Sequence, residues 1–260
     1  MTEKNQEVAL PKALEIWQQT LDWQPTPQQQ DIFQRLYEAI LNGNQQLNLT
    51  RITEPTEFLE KHLWDSLRGI KNWLTTAPSS ADALKADTLK LEGLKVLDIG
   101  TGAGFPGVPV AIACPHWHLT LLDSTRKKID FLERLTAILG LNQVQPLVGR
   151  AEQMGQMAQH RAAYDVVLIR AVSKASVCAE YAVPLLKLNG TAVLYRGQWL
   201  DTETLALTTA LHQLGGKIDH IESFVTPFSQ SIRHCIYIKK LKATPANFPR
   251  PTGVPTQKPL

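Results

Sequence analysis

The residues with the densest chemical potential are Asp98-Ile99-Gly100-Thr101-Gly102-Ala103-Gly104-Phe105-Pro106-Gly107. Four glycines fall within eight positions, directly after the apolar residues Val96, Leu97 and Ile99. Pro106 stands where a helix could begin, so the stretch reads as a buried strand, a tight turn and a helix start. Glycine admits positive φ, and its missing Cβ lets backbone N–H groups come within bonding distance of a ligand. The chemistry this suits is the holding of a nucleotide-like molecule. A turn that merely lets helix and strand pack closely would carry the same glycines.

The elements around the loop supply more groups. After the strand near 94–99, strand and helix alternate. Strands are expected at Trp117 to Leu122, Val144 to Val148, Tyr164 to Ile169 and Thr191 to Arg196, with a helix capped by Ser124-Thr125 and closed by Gly140, and another helix through Ala182 to Leu186. Lys217 to Val225 and Ile232 to Lys240 read as two strands joined by a turn at Thr226-Pro227-Phe228-Ser229. The expected architecture is α/β and Rossmann-like: a mostly parallel sheet with an antiparallel last strand and a helical N-terminal extension. In an open parallel sheet a ligand sits beyond the carboxyl ends of the strands. Those ends carry Asp98, Gly100, Gly102 and Gly104, then Asp123, then Ala151-Glu152, then Arg170.

Asp123 lies 19 positions after Gly104, close to the spacing at which an acid accepts both ribose hydroxyls. That suits NAD and S-adenosylmethionine alike. A dehydrogenase also needs a proton-transfer group, and no His lies near the ends of these core strands. The order Asp98-x-Gly100-x-Gly102-x-Gly104 resembles the first motif of S-adenosylmethionine-dependent methyltransferases, and Asp98 offers an acceptor for the α-amino group of that cofactor.

The 260 residues are 43% hydrophobic and 20% charged, an ordinary composition for one large domain with a smaller appendage. No apolar run approaches the roughly 20 residues of a membrane span. The polar residues after Met1 lack a signal-peptide core, and a cytoplasmic location is expected. Cys114, Cys178 and Cys235 show no metal or disulfide spacing and read as small core residues, so no metal is expected. From Ser223 to Leu260 there is no acid but six cations, Arg233, Lys239, Lys240, Lys242, Arg250 and Lys258, which leaves 21 basic against 24 acidic residues before them. Positive charge concentrated at the end suits a phosphate-bearing partner.

Two amphipathic helices are expected to open the chain, one carrying Leu14, Trp17 and Leu21, the next begun by Thr26-Pro27-Gln28-Gln29 and ended by Gly43. A third, from Glu54-Pro55 to about Trp73, would place His62, Asp65 and Ser66 one turn apart on a shared polar face. The organisation expected is a helical extension over 1–75, a linker over 76–93, the α/β domain over 94–242, and a proline-rich basic tail over 243–260 running along the surface or along RNA.

Asn48-Leu49-Thr50, Lys61-His62-Leu63-Trp64-Asp65-Ser66-Leu67, the glycine stretch through Gly107, Gly149-Arg150-Ala151-Glu152 and Arg170-Ala171-Val172 together resemble the bacterial small-subunit ribosomal RNA guanine-N7 methyltransferases, also called the glucose-inhibited division protein B family. The resemblance runs from about Leu47 to the C-terminus and implies a class I methyltransferase fold. It implies transfer of a methyl group from S-adenosyl-L-methionine to N7 of one guanine, position 527 in the usual 16S rRNA numbering, on the small ribosomal subunit. It further implies cofactor contacts from Gly100, Phe105, Asp123, Ser124, Thr125, Ala151, Glu152 and Arg170. Trp64 at the variable place of the Lys-His-Leu motif, and Tyr195-Arg196-Gly197-Gln198 in place of lysine-glycine, depart from the family pattern.

Guanine N7 carries an in-plane lone pair and no proton, so its methylation needs positioning and no general base. Arg170, His62, Asp65 and Ser66 are the expected positioning residues, with Arg51 nearby. Arg51 and Lys61 join the six C-terminal cations as the expected rRNA surface, and the chain is expected to act as a monomer. A nicotinamide-dependent enzyme on the same fold, and a non-enzymatic RNA- or ribosome-binding protein, are the alternatives.

Overall fold

The computed structural model describes residues 9–74 and 93–260. All but Gly93 of the expected linker lies outside the described residues. Before the sheet come α1 (Leu14–Leu21), α2 (Pro27–Leu47), α3 (Pro55–Phe58), a π-helical turn (Leu59–Trp64), α4 (Asp65–Arg68) and α5 (Lys71–Leu74). The strands are β1 (Lys95–Ile99), β2 (His118–Asp123), β3 (Val144–Val148), β4 (Tyr164–Arg170), β5 (Leu186–Arg196), β6 (Gly216–Val225) and β7 (Ile232–Lys240). Between and after them lie α6 (Gly107–Ala113), α7 (Arg126–Leu139), α8 (Ala151–Met154), α9 (Ala175–Ala182), α10 (Asp201–Leu214) and α11 (Val254–Gln257).

The sheet order is β3-β2-β1-β4-β5-β7-β6, with β1 to β5 parallel and β7 antiparallel to both its neighbours. Only the last strand is reversed, as the two strands around the Thr226–Ser229 turn require. Side chains alternate across each strand, and this divides the core in two. Val96, Val166, Leu168, Val193 and Tyr237 enter one layer with the N-terminal helices, α6 and α7. Leu97, Val167, Ile169, Leu194 and Ile238 enter the other with α8, α9, α10 and Phe248. All three cysteines are buried.

Several local expectations shift for identifiable reasons. The Thr26 and Gln29 capping box forms, but α2 runs on through Gly43 to Leu47. Gly43 is a packing position: a Cβ there would lie 2.4 Å from Phe131 Cε2 of α7. Thr125 stands at the start of α7 without a side-chain cap bond, and its amide donates to Asp123 Oδ1 at 2.9 Å. The strand expected at Thr191 to Arg196 begins earlier, as a long β5 that takes in Leu188-Asn189-Gly190, its pairing with β4 shifted beside Tyr164 and its Asn189 at φ 63°.

The 243–260 segment is packed down against the α8 and α9 side of the sheet. Arg250 pairs with the fully buried Glu180 at 2.6 Å, and Phe248 and Pro255 are buried. Arg250→Ala would leave a buried carboxylate without its counter-charge, and is expected to cost about 3 kcal/mol of stability in a urea unfolding curve. An unchanged midpoint would mean that the segment is undocked in solution.

Candidate functional site

The glycine loop is braced from beneath by Asp98, fully buried at the end of β1. Its Oδ2 accepts from Thr101 Oγ1 at 2.7 Å and from the Gly107 amide at 2.8 Å, so one oxygen ties the two ends of the loop together. Its Oδ1 is buried and has no hydrogen-bond partner among the described residues. Burial pushes this carboxyl up to about 6, against the opposing pull of the Thr101 and Gly107 bonds. Gly100 sits at φ 71°, where a Cβ would also lie 2.6 Å from Val172 Cγ2. The Gly102 amide donates to Asp123 Oδ2 at 3.0 Å, which joins the loop to the end of β2.

Above the loop lies a cavity of about 220 Å³, lined among others by Gly100, Asp123, Ser124, Ala151, Glu152 and Val172. These are the ends of β1, β2, β3 and β4, the switch-point position the alternation predicts. A cradle closed to side chains at Gly100 and an unpartnered buried carboxylate oxygen at Asp98, beneath the loop and outside the cavity lining, fit S-adenosylmethionine; Asp123 borders the cavity with its oxygens engaged by the Thr125 and Gly102 amides. Thr125 is exposed beside this cavity and contributes its amide to Asp123.

A second cavity, of about 170 Å³, is lined by Asp65, Arg170, Ala171, Tyr195, Arg196, Gly197 and Arg233. Arg170 Nη1 donates to the Lys61 carbonyl at 2.9 Å and to Asp65 Oδ2 at 3.1 Å, so the end of β4 is bound to the start of α4. Ala171 turns the chain at φ 56°, and Val172 and Ser173 then border the first cavity. Four consecutive residues therefore divide between the two spaces, two to each.

His62 and Phe105 join the N-terminal helices to the loop. Their rings stack at 4.2 Å with 6° between planes, and the Arg170 guanidinium lies 5.8 Å from the Phe105 centroid. His62 Nε2 bonds Thr50 Oγ1 at 2.8 Å. Burial, aided by the Arg170 and Lys61 charges, lowers its pKa to about 3, so the ring is neutral at physiological pH.

The structure brings Arg170, Asp65 and His62 together with the loop. It does not bring Ser66: that residue is fully buried, and its hydroxyl donates to the His62 carbonyl of its own helix. The π-helical turn at Leu59–Trp64 breaks the α-helical repeat on which the shared polar face depended. Ser66 serves instead through its carbonyl, which takes the Tyr195 hydroxyl at 2.8 Å.

The expected rRNA surface also contracts. Lys240 is buried, with Nζ donating to the Leu186 carbonyl at 2.7 Å, and Arg250 is neutralised by Glu180, so neither faces a partner. Because β7 runs against β5, Arg233 lies at the site end of the sheet, while Lys239, beside Thr191, and the exposed Lys242 lie at the far end. Lys258 is exposed on the docked tail, Arg51 is exposed, and Lys61 is half-buried beside Glu57. Tyr195 and Arg196 were legible only as a departure from the family pattern, and Tyr181 and Thr256 of the first cavity gave no sequence signal at all.

If ionised Asp98 receives the α-ammonium of the ligand, binding should follow its titration. S-adenosylhomocysteine affinity is expected to be flat above about pH 7 and to fall by up to tenfold per unit below about pH 6, because protonation removes the charge and the acceptor together. Calorimetry across pH 5 to 8 checks this, and a flat profile contradicts it.

A family model described as rRNA small subunit methyltransferase G matches residues 29–236. The ribosomal RNA small subunit methyltransferase G of Trichormus variabilis is 59% identical over 251 residues, 96% of this chain and 98% of the relative. That of Trichodesmium erythraeum is 52% identical over 260 residues, 100% of this chain and 98% of the relative. Among solved structures, M. jannaschii TYW2 in complex with AdoMet is 16% identical over 58% of this chain and 70% of that one, with a TM-score of 0.46. With four-fifths of its length matched and relatives above half identity end to end, the chain belongs to the rRNA small subunit methyltransferase G family.

Proposed function

We propose that the protein transfers the methyl group of S-adenosylmethionine to N7 of a guanine in 16S rRNA, with the donor in the cavity above the glycine loop and the acceptor base in the arginine-lined cavity beside it. The observation that carries this reading is that the cavities are adjacent along one run of chain: Arg170 and Ala171 line the arginine cavity, and the next two residues, Val172 and Ser173, line the cavity above the loop. Membership of the family decides against the nicotinamide-dependent and non-enzymatic alternatives.

When bound, the cofactor supplies an electrophilic methyl on a sulfonium. The protein's task is to present N7 in line with it, and N7 has no proton to remove. Arg170, fixed by Lys61 and Asp65, is placed to donate to a guanine acceptor such as O6. Asp65 offsets the guanidinium charge where the methylated base becomes cationic. Neutral His62 fills the space behind Phe105 and holds the loop against the N-terminal helices. Arg51, Lys61, Arg196 and Arg233 form the phosphate-facing rim, and the small ribosomal subunit in the cytoplasm is the partner this substrate implies.

Purified protein given methyl-labelled S-adenosylmethionine should label small-subunit rRNA, either deproteinised or within subunits; no label in either would sink the proposal. On the same reading Arg233, which lines the arginine cavity, supplies one phosphate contact. Arg233→Gln is expected to lower the slope of log K against log salt by about one, and Lys242→Gln to leave it unchanged. Equal slopes for both variants and the parent would place the RNA elsewhere.

A further inference from the structure

Among the described residues, the side-chain bonds that tie down the 243–260 segment reach one region. Arg161 donates to the carbonyls of Thr244 at 2.8 Å, Pro245 at 3.0 Å and Phe248 at 2.7 Å. Gln156 holds the Pro249 carbonyl at 2.7 Å, and Gly155 has no room for a Cβ because Pro249 Cγ would lie 2.5 Å away. Arg250 is spent on Glu180. These anchors lie on and between α8 and α9, the elements that carry Glu152 and Tyr181 into the first cavity.

From there the chain turns at Gly253, φ 85°, into α11. The Gly253 amide donates to Glu152 Oε1 at 3.0 Å, and Thr256 Oγ1 lies 3.4 Å from the Tyr181 hydroxyl. Thr256 and Tyr181 both line the 220 Å³ cavity, together with Asp123 and Glu152. Glu152 is buried, so the strap's amide fixes the direction in which its carboxylate points.

We infer that residues 244–260 form a strap that completes the methyl-donor site: Thr256 closes its outer wall, and the Gly253 amide positions Glu152 for the adenosyl end of the cofactor. This rests on the reading of the 220 Å³ cavity as the donor pocket. The strap thereby belongs to cofactor recognition, and its prolines serve to lay an extended chain across α8 and α9 without unsatisfied amides. Of its two basic residues, Arg250 is an anchor on Glu180 and is not free for a phosphate, and Lys258 lies exposed beyond Thr256.

The test compares S-adenosylhomocysteine binding by the full chain, by a chain ending after Arg250, and by Thr256→Val. The shortened chain keeps Phe248 and the Arg250–Glu180 pair, and loses Gly253 and Thr256. It is expected to bind about tenfold more weakly, and Thr256→Val about threefold, as the loss of one or two wall hydrogen bonds implies. In turnover the shortened chain should show a raised KM for the donor with kcat little changed, and an RNA salt slope equal to the parent's. Parental affinity in the shortened chain, or a reduced salt slope with affinity intact, overturns the inference. Should the shortened chain fail to fold, Thr256→Val decides: parental affinity there overturns it, and weakened binding with an unchanged unfolding midpoint supports it. A full chain that binds no S-adenosylhomocysteine fails the donor-pocket reading itself, a separate outcome from failure of the strap.

Discussion

Replacement of Asp98 by Asn is expected to weaken S-adenosylhomocysteine binding on the order of a hundredfold while the free protein stays folded. Asn still presents one oxygen to Thr101 and Gly107, so the brace under the loop survives. What changes is the other oxygen, which becomes an N–H donor, and the charge, which vanishes. In the free protein that charge is a burden. Its folded pKa, about 6, lies above the unfolded value, so the stability Asp98 contributes is fully present below about pH 4 and is lost as pH rises through 6. At pH 7 the Asn variant is therefore expected to unfold at the parental temperature or above it. An unchanged ligand affinity would reduce Asp98 to a loop brace. A lowered midpoint together with lost affinity would mean that the brace, and not the free acceptor, is what the loop needs.

Arg170→Ala is expected to lower kcat/KM for methyl transfer by a factor on the order of 10² to 10³, the scale associated with losing one preorganised donor. The side chain does two things that can be separated. It clamps α4 to the end of β4 through Lys61 and Asp65, and it faces the cavity assigned to the base. Its removal leaves the Asp65 carboxylate, 13% exposed, without a counter-charge, so some stability is lost as well. Removing Asp65 in the same chain should restore stability and leave the rate low. Rate recovery in the double variant would show that Arg170 acts only as a clamp. Arg170→Lys retains one donor and the charge but not the fork, and should fall between parent and Ala.

The sheet was legible because its strands obey a two-residue alternation and end in punctuation: Gly100 after β1, Asp123 closing β2, Gly149 after β3 and Arg170 closing β4. The donor side of the site followed, since those same ends converge by topology. The acceptor side was half legible. Asp65 and His62 were placed by helical periodicity: Asp65 lines the arginine cavity, and His62 stacks on Phe105 of the glycine loop without lining either cavity. Ser66, placed by the same periodicity, does not, because a π-helical turn is a departure from the repeat that no residue type announces. The cations show the other limit. A run of positive charge has no position until the strand's direction is known, and β7 carries Arg233 and Lys239 to opposite ends of the sheet. Lys240 is held by main-chain carbonyls, a tertiary fact with no local signature, and burial lowers its pKa to about 8. From its prolines and cations the tail reads as an arm along the surface or along RNA, and it lies along the surface. It docks because Glu180, buried and far away in sequence, awaits Arg250.

The central claim is that the arginine-lined cavity presents guanine N7 to the donor above the glycine loop. Its most direct test is nucleoside analysis of small-subunit rRNA after turnover with purified protein and S-adenosylmethionine. The account predicts N7-methylguanosine at a single site, absent when Arg170→Ala replaces the parent. A methyl group on a ring nitrogen or exocyclic amine that must first lose a proton, or on a pyrimidine carbon, would contradict it.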